Sequence, residues 1–593
     1  MRRAAFVPLV VLAAASVLTG CGGLPTPAGV RSVRTVAPNE PRDEPVFRRI
    51  PAGPQSGQSP AEVAAAFLRA GAAPDVAKQF LAPGSSWDPE TLPTVVFTGT
   101  LPLPRAAPVA GAPGRQLARV AVDALLDIAT DGSTSPALRS PRPVVELALI
   151  RDSAGDWRVA VPPDVLLVRD TDLQQARRRV VLGWLGPDEH LVRDSVLLPV
   201  PDDDLPSAVV GALLQGPPRR LTQVGVTTRI PPLTKAVRVA LEGGTLSVDL
   251  DATALSIPPS ATALVRAQIA ATLQSLPNVG SVVLRVQGQP LLLPGRAGDT
   301  PVTGTDAAAY DPDVPAPGLA PLALGAKGSL GPIDPAGRAP AGRDPAGQAP
   351  ADQAPGGTLE GLAVDADGRR TARLQTTAGG VDPQLLQTPD ATSPSELAGP
   401  GPWTSVAFGR DSSLWLVRGG QVLERPRDGT LQPVRTPVAL RRLVIAADGV
   451  HAVGITADSG LVAGVVGLPQ PGRPAMLALR PVAPAVRDAV DVAFDSSDGD
   501  VVVLRDGADG DAPGRGTGSA ARVSVDAPDP DGGDLVGDVR ALPVPCPRAQ
   551  AAAVTGRPRE APLVGCPDGT VRRLEGQTWA PVGVGRFPTW PLG

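Results

Sequence analysis

The chain has 593 residues, enough for three or four domains, and 42 % of them are hydrophobic, so several cores can form. Aromatic residues make up only 3 %, while 66 glycines and 71 prolines favour turns, linkers and short strands over long helices. The 55 basic and 59 acidic side chains give a net charge of -4 without a basic stripe, which argues against nucleic acid as a partner.

The first 20 residues have the pattern of a lipoprotein signal peptide. Arg2 and Arg3 form a basic start, and residues 4–17 are an uncharged apolar stretch too short to span a bilayer. Leu18-Thr19-Gly20-Cys21 then matches a lipobox. We expect cleavage before Cys21, which would carry a thioether-linked diacylglycerol and an N-palmitoyl group, and hence a lipid anchor on the outer face of the cell membrane. The alternative is an ordinary secretory signal with an incidental cysteine.

A flexible tether is expected at residues 21–58, because proline, glycine and serine are frequent there and periodicity is weak. Order should begin at Ser59, where Ser59-Pro60-Ala61-Glu62 is a helix-capping signal. A small α+β domain is predicted at 59–165. It should contain a second short helix and four strand-like runs: Asp75 to Leu81, then Thr94 to Phe97, Leu117 to Ile128, Val144 to Ile150 and Trp157 to Val161.

A second α+β domain is predicted at 166–295. A helix from Asp204 to Gln215 should stop at Gly216-Pro217. The alternating residues around Gly243-Gly244 predict a β-hairpin with one buried face, with Val237, Val239 and Leu241 on its first strand and Leu246, Val248 and Leu250 on its second. A helix from Pro258 through Leu276 and a strand from Val282 to Val286 complete the unit.

Residues 296–357 have the composition of a linker and contain a five-residue repeat at 335–354 that cannot bury a core. A strand pair around Leu319 to Leu330 precedes the repeat and is expected to belong to the following domain.

An all-β domain is predicted at 358–593. Short apolar strands alternate with Asp-Gly turns, and the positions of Ala363, Ala407, Val444 and Ala493 recur about every 40 residues, near the length of a four-stranded propeller blade. The Asp-Gly pairs suggest tight hairpins with positive φ at both positions. We therefore predict a β-propeller; a β-sandwich with accidental self-similarity is the alternative.

The residues offer little catalytic chemistry, so the protein is expected to bind rather than to be an enzyme. The two histidines, His190 in a turn and His451 at the start of a strand, favour structural roles over service as a base, and no catalytic residue, metal site or cofactor is predicted. The acidic loop at 526–534 is more typical of a solvated loop than of a calcium site. Outside the cytoplasm Cys546 and Cys566 could form a disulfide; two separate buried thiols are the alternative.

Five features follow one another along the chain: the lipobox, Ala77-Lys78-Gln79-Phe80-Leu81 followed by Trp87, Leu205-Pro206 through Gly216-Pro217, the stretch Leu246 to Leu250 with the helix Ala267 to Leu273, and the blade-like C-terminal half. The fourth is similar to the GerMN domain of spore-germination and related envelope proteins. In this order, the five features resemble the LpqB family of actinobacterial lipoproteins.

The resemblance implies a partner. Lipoproteins of this family are associated with the Mtr two-component system and act on the extracytoplasmic part of its sensor histidine kinase, with effects on envelope homeostasis and cell division. A second hypothesis is an envelope lipoprotein that binds peptidoglycan or a small ligand through the GerMN-like unit. A third, a hydrolase using carboxylates on the propeller axis, requires a deep acidic pocket there.

Overall fold

The computed structural model covers most of the chain beyond residue 50, and the described residues fall in one compact unit that runs from Pro51 to Gly593. They are 51–71, 73–137, 144–199, 204–273, 276–291, 300–314, 320–324, 330–333, 359–387, 395–467, 475–495, 499–506, 519–525, 539–543, 545–546, 553–557, 560–566, 568–576 and 578–591. Cys21, the tether up to residue 50, the repeat at 335–354 and the acidic loop at 526–534 lie outside them. Within these ranges no helix is long and apolar enough to cross a membrane.

The N-terminal part begins with the predicted capping box. Ser59 Oγ accepts from the Glu62 backbone at 3.3 Å, and Glu62 Oε2 accepts from the Ser59 backbone at 2.7 Å, so two otherwise unpaired amides are satisfied. The elements are α1 (Pro60–Arg69), α2 (Pro74–Ala77), 3-10 turns at Lys78–Phe80 and Pro89–Thr91, and β1 (Thr94–Phe97), β2 (Arg105–Pro108), β3 (Arg115–Ala121), β4 (Ala124–Ile128), β5 (Thr134–Pro136), β6 (Val144–Arg151), β7 (Trp157–Val161) and β8 (Leu166–Arg169). The rings of Phe67 and Trp87 pack edge to face in the core, with their centroids 5.2 Å apart.

Two four-stranded sheets share this part, in the orders β5-β4-β1-β8 and β2-β3-β6-β7. The single strand expected over Leu117 to Ile128 is wrong, because the chain leaves one sheet after β3 and enters the other at β4. This mostly apolar run carries no signal for the change of sheet, since both sheets bury similar side chains.

The middle part is a β-hairpin beside a mixed sheet. Its elements are a 3-10 turn at Asp170–Asp172, α3 (Leu173–Ala176), β9 (Arg178–Leu185), β10 (Leu191–Leu198), α4 (Leu205–Gln215), α5 (Arg219–Thr222), β11 (Ala236–Glu242), β12 (Thr245–Leu250), 3-10 turns at Ala252–Ser256 and Pro259–Ala261, α6 (Thr262–Leu273), β13 (Ser281–Val286), β14 (Gln289–Pro290) and α7 (Gly304–Ala308). The sheet order is β11-β12-β13-β14, with β12 and β13 parallel and joined through α6, which also packs against β9.

The structure confirms the helix that ends at Gly216, whose φ of 89° suits a glycine. The helix expected from Pro258 is confirmed only from Thr262, after a 3-10 turn. The hairpin β11–β12 is confirmed, but the prediction that both strands bury the same face is wrong for β11. Leu246 is buried, whereas Val237 is 66 % and Leu241 39 % exposed, because β11 forms the edge of its sheet.

The C-terminal part consists of separate antiparallel sheets, five of them four-stranded within the described residues. Sheet 1 is β17 (Leu359–Val364), β18 (Arg370–Thr377), β19 (Gly380–Gln387) and β20 (Ser395–Glu396); sheet 2 is β21 (Trp403–Phe408), β22 (Leu414–Arg418), β23 (Gln421–Arg425) and β24 (Gln432–Pro433); sheet 3 is β25 (Leu440–Ile445), β26 (His451–Thr456), β27 (Leu461–Gly467) and β28 (Met476–Pro481); sheet 4 is β29 (Ala489–Phe494), β30 (Asp500–Arg505), β31 (Ser519–Ser524) and β32 (Val539–Leu542); sheet 5 is β33 (Ala553–Arg557), β34 (Glu560–Gly565), β35 (Thr570–Glu575) and β36 (Thr578–Val584).

Sheet 6 joins distant parts of the chain. Its strands are β15 (Leu322–Leu324), β16 (Leu330–Pro332) and β37 (Arg586–Thr589), in the order β16-β15-β37. The strand pair expected around Leu319 to Leu330 thus pairs with the last strand of the chain. Hydrophobic clusters lie between consecutive sheets from 1 to 6, so sheets 2 to 5 each pack against both of their neighbours.

In the Asp-Gly turns, the φ angle of the aspartate differs from the value expected from the sequence. Gly368, Gly449 and Gly569 have positive φ, but the aspartates before them do not. Asp448, for example, accepts hydrogen bonds from the backbone of Val450 at 2.8 Å and of His451 at 3.0 Å. A side chain that holds the turn in this way allows an ordinary φ, and the expectation of positive φ at both positions was therefore wrong.

Candidate functional site

Both histidines lie where the hairpin β9–β10 contacts sheets 2 and 3. The hairpin turn is Gly186-Pro187-Asp188-Glu189-His190, closed by a hydrogen bond from the Gly186 amide to the His190 carbonyl at 2.8 Å. His190 Nδ1 lies 3.0 Å from Asp188 Oδ2. We call the contact of residues 186–190 with 409–411 and 447–451 the junction.

Arg410, from the turn between β21 and β22, binds two elements in the junction. Its Nε lies 2.8 Å from Asp188 Oδ2, and its Nη1 donates to the Ala447 carbonyl at 3.0 Å. Burial alone would raise the pKa of Asp188, but the hydrogen bond and charge of His190 and the charge of Arg410 outweigh it and lower this pKa to about 2. Asp188 therefore stays ionised at neutral pH and links the hairpin to sheet 2.

His451 occupies the other side of the junction. Its Nδ1 lies 2.6 Å from Asp448 Oδ2, and the two side chains are 7 % and 10 % exposed. Burial raises the pKa of Asp448, but the charge and hydrogen bonds of His451 and the amide of Val450 lower it overall. Each imidazole is thus oriented by an aspartate of its own turn.

Further contacts make the junction continuous with the core. Arg179 on β9 lies 3.3 Å from Asp500 on sheet 4. Val450 and Val465 of sheet 3 belong to the same hydrophobic cluster as Trp184 of the hairpin. The middle part and the sheets are therefore held by charge pairs around an apolar centre.

The described residues contain no group of three or more histidine, cysteine, aspartate or glutamate side chains that could hold a metal ion. At the junction, Asp188 binds His190 and Arg410, and Asp448 binds His451. Such an arrangement can fix one part of the protein against another, which is a positioning role for His190 and His451.

Sequence reasoning missed Glu424, which lies on β23 opposite Trp415. Its side chain is 1 % exposed, and within the described residues neither carboxylate oxygen has a hydrogen-bond partner. Burial, and then the negative charge of Asp411, raise its pKa to about 7. A glutamate beside Arg425 in a strand is typical of a solvated face, so the sequence carries no signal for this burial.

Of the cysteines singled out in the sequence, Cys546 and Cys566 are joined by a disulfide, with Cα atoms 5.6 Å apart. Both are 2 % exposed and lie in the cluster between sheets 4 and 5. The bridge ties the segment before β33 to the end of β34.

The chain matches two family models, one after the other along its sequence. Residues 53–174 match the family described as Lipoprotein LpqB, N-terminal domain, and residues 183–292 match Germane, described as sporulation and spore germination. The curated relatives carry the name Lipoprotein LpqB. These matches support an LpqB-family lipoprotein.

The similarity to relatives is moderate. The chain is 32 % identical to the protein of Thermobifida fusca, over 30 % of this chain and 29 % of the relative. It is 28 % identical to the protein of Nocardia farcinica, over 46 % of each chain. For Mycobacterium paratuberculosis it is 26 % over 72 % of this chain and 73 % of the relative. The match thus spans less than half the length of the first two relatives. The solved structure of the tandem GerMN domains of GerM from Bacillus subtilis aligns with 24 % of this chain and with 54 % of its own chain. The sequence identity is 19 % and the TM-score is 0.19.

Proposed function

We propose that this chain is a membrane-anchored extracytoplasmic lipoprotein that binds and modulates the sensor histidine kinase of an Mtr-type two-component system, and so affects envelope homeostasis and cell division. Similarity to the LpqB lipoproteins is the observation that carries the proposal. The parts beyond the anchor, residues 59–165, 166–295 and 358–593, serve as binding modules.

The anchor is proposed at Cys21, directly after Leu18-Thr19-Gly20. Cys21→Ser should move the full-length protein from the membrane to the soluble fraction without unfolding its domains, because the acyl chains on Cys21 would be lost. Ser16→Ala is the matched control, since it lies in the apolar stretch and leaves the lipobox intact. A membrane-bound Cys21→Ser variant, or a wild-type N-terminus without lipid by mass spectrometry, would contradict the anchor.

We further propose that sheets 1 to 6 are the blades of a β-propeller. Support comes from the first strands of the blades, which pack side by side in the order β17, β21, β25, β29, β33 and β37, with β37 against β17. Sheet 6 combines strands from both ends of the domain, which is how a propeller joins its first and last blades. The predicted boundary at 358 then leaves out β15 and β16, which contribute to the last blade.

Hydrogen bonds between successive first strands support the same arrangement. Ser405 Oγ of sheet 2 exchanges hydrogen bonds with the backbone of Leu443 in sheet 3, at 3.1 and 3.3 Å. Arg442 of sheet 3 lies 2.7 Å from Asp491 of sheet 4, and Asp491 accepts from the Val554 amide of sheet 5 at 2.9 Å. Ser405, Arg442 and Asp491 occupy the same position in their strands, the third residue, so the contact repeats from sheet to sheet.

The same series continues through the end of the chain. Thr555, the third residue of β33, accepts at Oγ1 from the Trp590 amide at 3.2 Å. The neighbouring Pro591 forms a parallel bridge with Val364 at the end of sheet 1. Contacts therefore lead from sheet 2 through sheets 3 to 6 and back to sheet 1, as a circular arrangement requires.

Recognition of the kinase would use a surface held rigid by the junction. We suggest a photo-crosslinking amino acid at one exposed apolar position in each part, Leu103, Leu233 or Val584, with buried Val453 as the control. In intact cells, at least one exposed position should give an adduct with the sensor kinase, and the control should give none. Recovery of unrelated proteins alone would contradict the proposal, and co-sedimentation with purified peptidoglycan would favour the ligand-binding alternative instead.

A further inference from the structure

The strand β11 has a free edge. It pairs with β12, and within the described residues no other strand pairs with it. The turn Gly243-Gly244 has positive φ at both positions, 54° and 79°, as a two-residue hairpin turn requires. Residues 238, 240 and 242 therefore direct their backbone groups to β12, and residues 239 and 241 direct theirs outward; Val237 lies at a register shift between Ala236 and Arg238.

Exposed apolar side chains accompany these outward backbone groups. Val237 is 66 % exposed, Leu241 is 39 % exposed and Val239 is partly buried. Arg238 and Glu242 are exposed on the other face of the strand. An unpaired, partly apolar edge of seven residues is a template for another strand.

Two other outer strands are interrupted by proline, which lacks a backbone donor. The edge strand β2 ends with Pro108, and the outer strand β36 of sheet 5 contains Pro581. The sequence of β11, Ala-Val-Arg-Val-Ala-Leu-Glu, contains no proline. β11 therefore offers a regular, proline-free edge from Arg238 to Glu242, after the register shift between Ala236 and Arg238.

We propose that a second copy of this chain pairs with β11 through its own β11, antiparallel, with the two-fold axis at Ala240. The two four-stranded sheets would then form one continuous sheet of the two copies. A two-fold interface, in which the same surface of both copies meets itself, is the commonest arrangement of homodimers.

Charge complementarity selects this register. With Ala240 at the axis, Arg238 lies opposite Glu242 of the second copy, and the reciprocal pair forms on the other side. Val239 lies opposite Leu241 of the second copy, so the outward backbone groups of both can exchange hydrogen bonds. A register centred on Val239 also permits hydrogen bonds, but it leaves Arg238 opposite an alanine and has no charge pair. Opposite charges across a strand pair stabilise it, and like charges destabilise it.

Charge reversal tests the proposal on the full chain carrying Cys21→Ser. Sedimentation equilibrium should detect a dimer of twice 60.3 kDa for this protein. Arg238→Glu and Glu242→Arg should each weaken dimerisation at least tenfold, since each places like charges opposite one another. The double variant should restore it to within about threefold. A protein that stays monomeric at all concentrations, or a double variant no better than the single ones, would overturn the proposal.

Arg238 lies opposite Asp249 within its own sheet, so folding of the first variant must be checked by circular dichroism. Glu242 lies opposite Thr245, and Glu242→Arg therefore brings no like charge within the chain. The second variant thus keeps the test valid if the first one fails to fold.

Disulfide trapping tests the register independently. In a non-hydrogen-bonded pair the Cα atoms are about 4.5 Å apart, so Ala240→Cys should form a disulfide between two copies. Val161→Cys, at an exposed position in another sheet, is the control for random collision. Trapping at residue 240 well above the control supports the axis. Preferential trapping of Val239→Cys, or equal trapping at all sites, would overturn it.

Discussion

Glu424→Gln tests the most unusual titratable group in the described residues. The substitution keeps the size of the side chain and removes its charge. Because Glu424 is 1 % exposed and lies opposite Trp415, the substitution should change the free energy of local unfolding of β22 and β23. We expect the variant to be more stable than the wild type at pH 8 and nearly equal to it at pH 5.

The magnitude follows from the raised pKa. The folded value of about 7 compares with 4.5 for an ordinary glutamate, and each pKa unit corresponds to about 1.4 kcal/mol. Between these values the folded chain holds a proton that the unfolded chain has lost. Stability is therefore highest below pH 4.5 and falls as the pH rises through 7, by about 3 kcal/mol in all.

Hydrogen exchange followed by mass spectrometry measures this effect locally. Peptides covering 414–425 are compared between the variant and the wild type at the same pH, so intrinsic exchange rates cancel. At pH 8 the variant should exchange up to about a hundredfold more slowly, which corresponds to about 3 kcal/mol.

Glu575→Gln is the matched control, because Glu575 is exposed and its pairing with Arg573 lies at the surface. It should leave exchange in 414–425 unchanged at both pH values. A difference between Glu424→Gln and the wild type that is the same at pH 5 and pH 8 would refute the assignment of the raised pKa to Glu424.

Three further substitutions have defined outcomes. Cys546→Ala with Cys566→Ala should lower stability by about 3 kcal/mol, since the bridge closes a loop of about 20 residues; equal urea midpoints for the variant and the wild type would contradict this. Arg193→Met removes the cation that two buried aspartates bind and should cost about 3 to 5 kcal/mol, so a variant with unchanged thermal unfolding argues against that cluster. In the wild type, the lowered pKa of Asp188 stabilises the fold above pH 4, and this stabilisation disappears as the pH falls through 2. Asp188→Asn removes it, which should cost at most about 1 kcal/mol at pH 7 because the side chain is 45 % exposed. The variant should therefore show a flatter pH dependence of unfolding.

Features that depend on neighbours along the chain could be predicted from the sequence. The capping box at Ser59, the helix end at Gly216 and the hairpin at Gly243-Gly244 were predicted and are present. Each is set by the conformational preferences of a few adjacent residues, so no distant contact was needed. The recurring strands after residue 358 were predicted for the same reason, since alternation and turns are local signals.

Contacts between distant residues were decided by the tertiary structure alone. The pairing of β15 with β37, the exposure of Val237 and the burial of Glu424 depend on which surfaces meet, and identical local patterns are compatible with other partners. The junction is the clearest case, because Asp188 and Arg410 are 222 residues apart. Sequence spacing specifies a strand and its turn; the free energy of burial and pairing across the whole chain decides what that turn contacts.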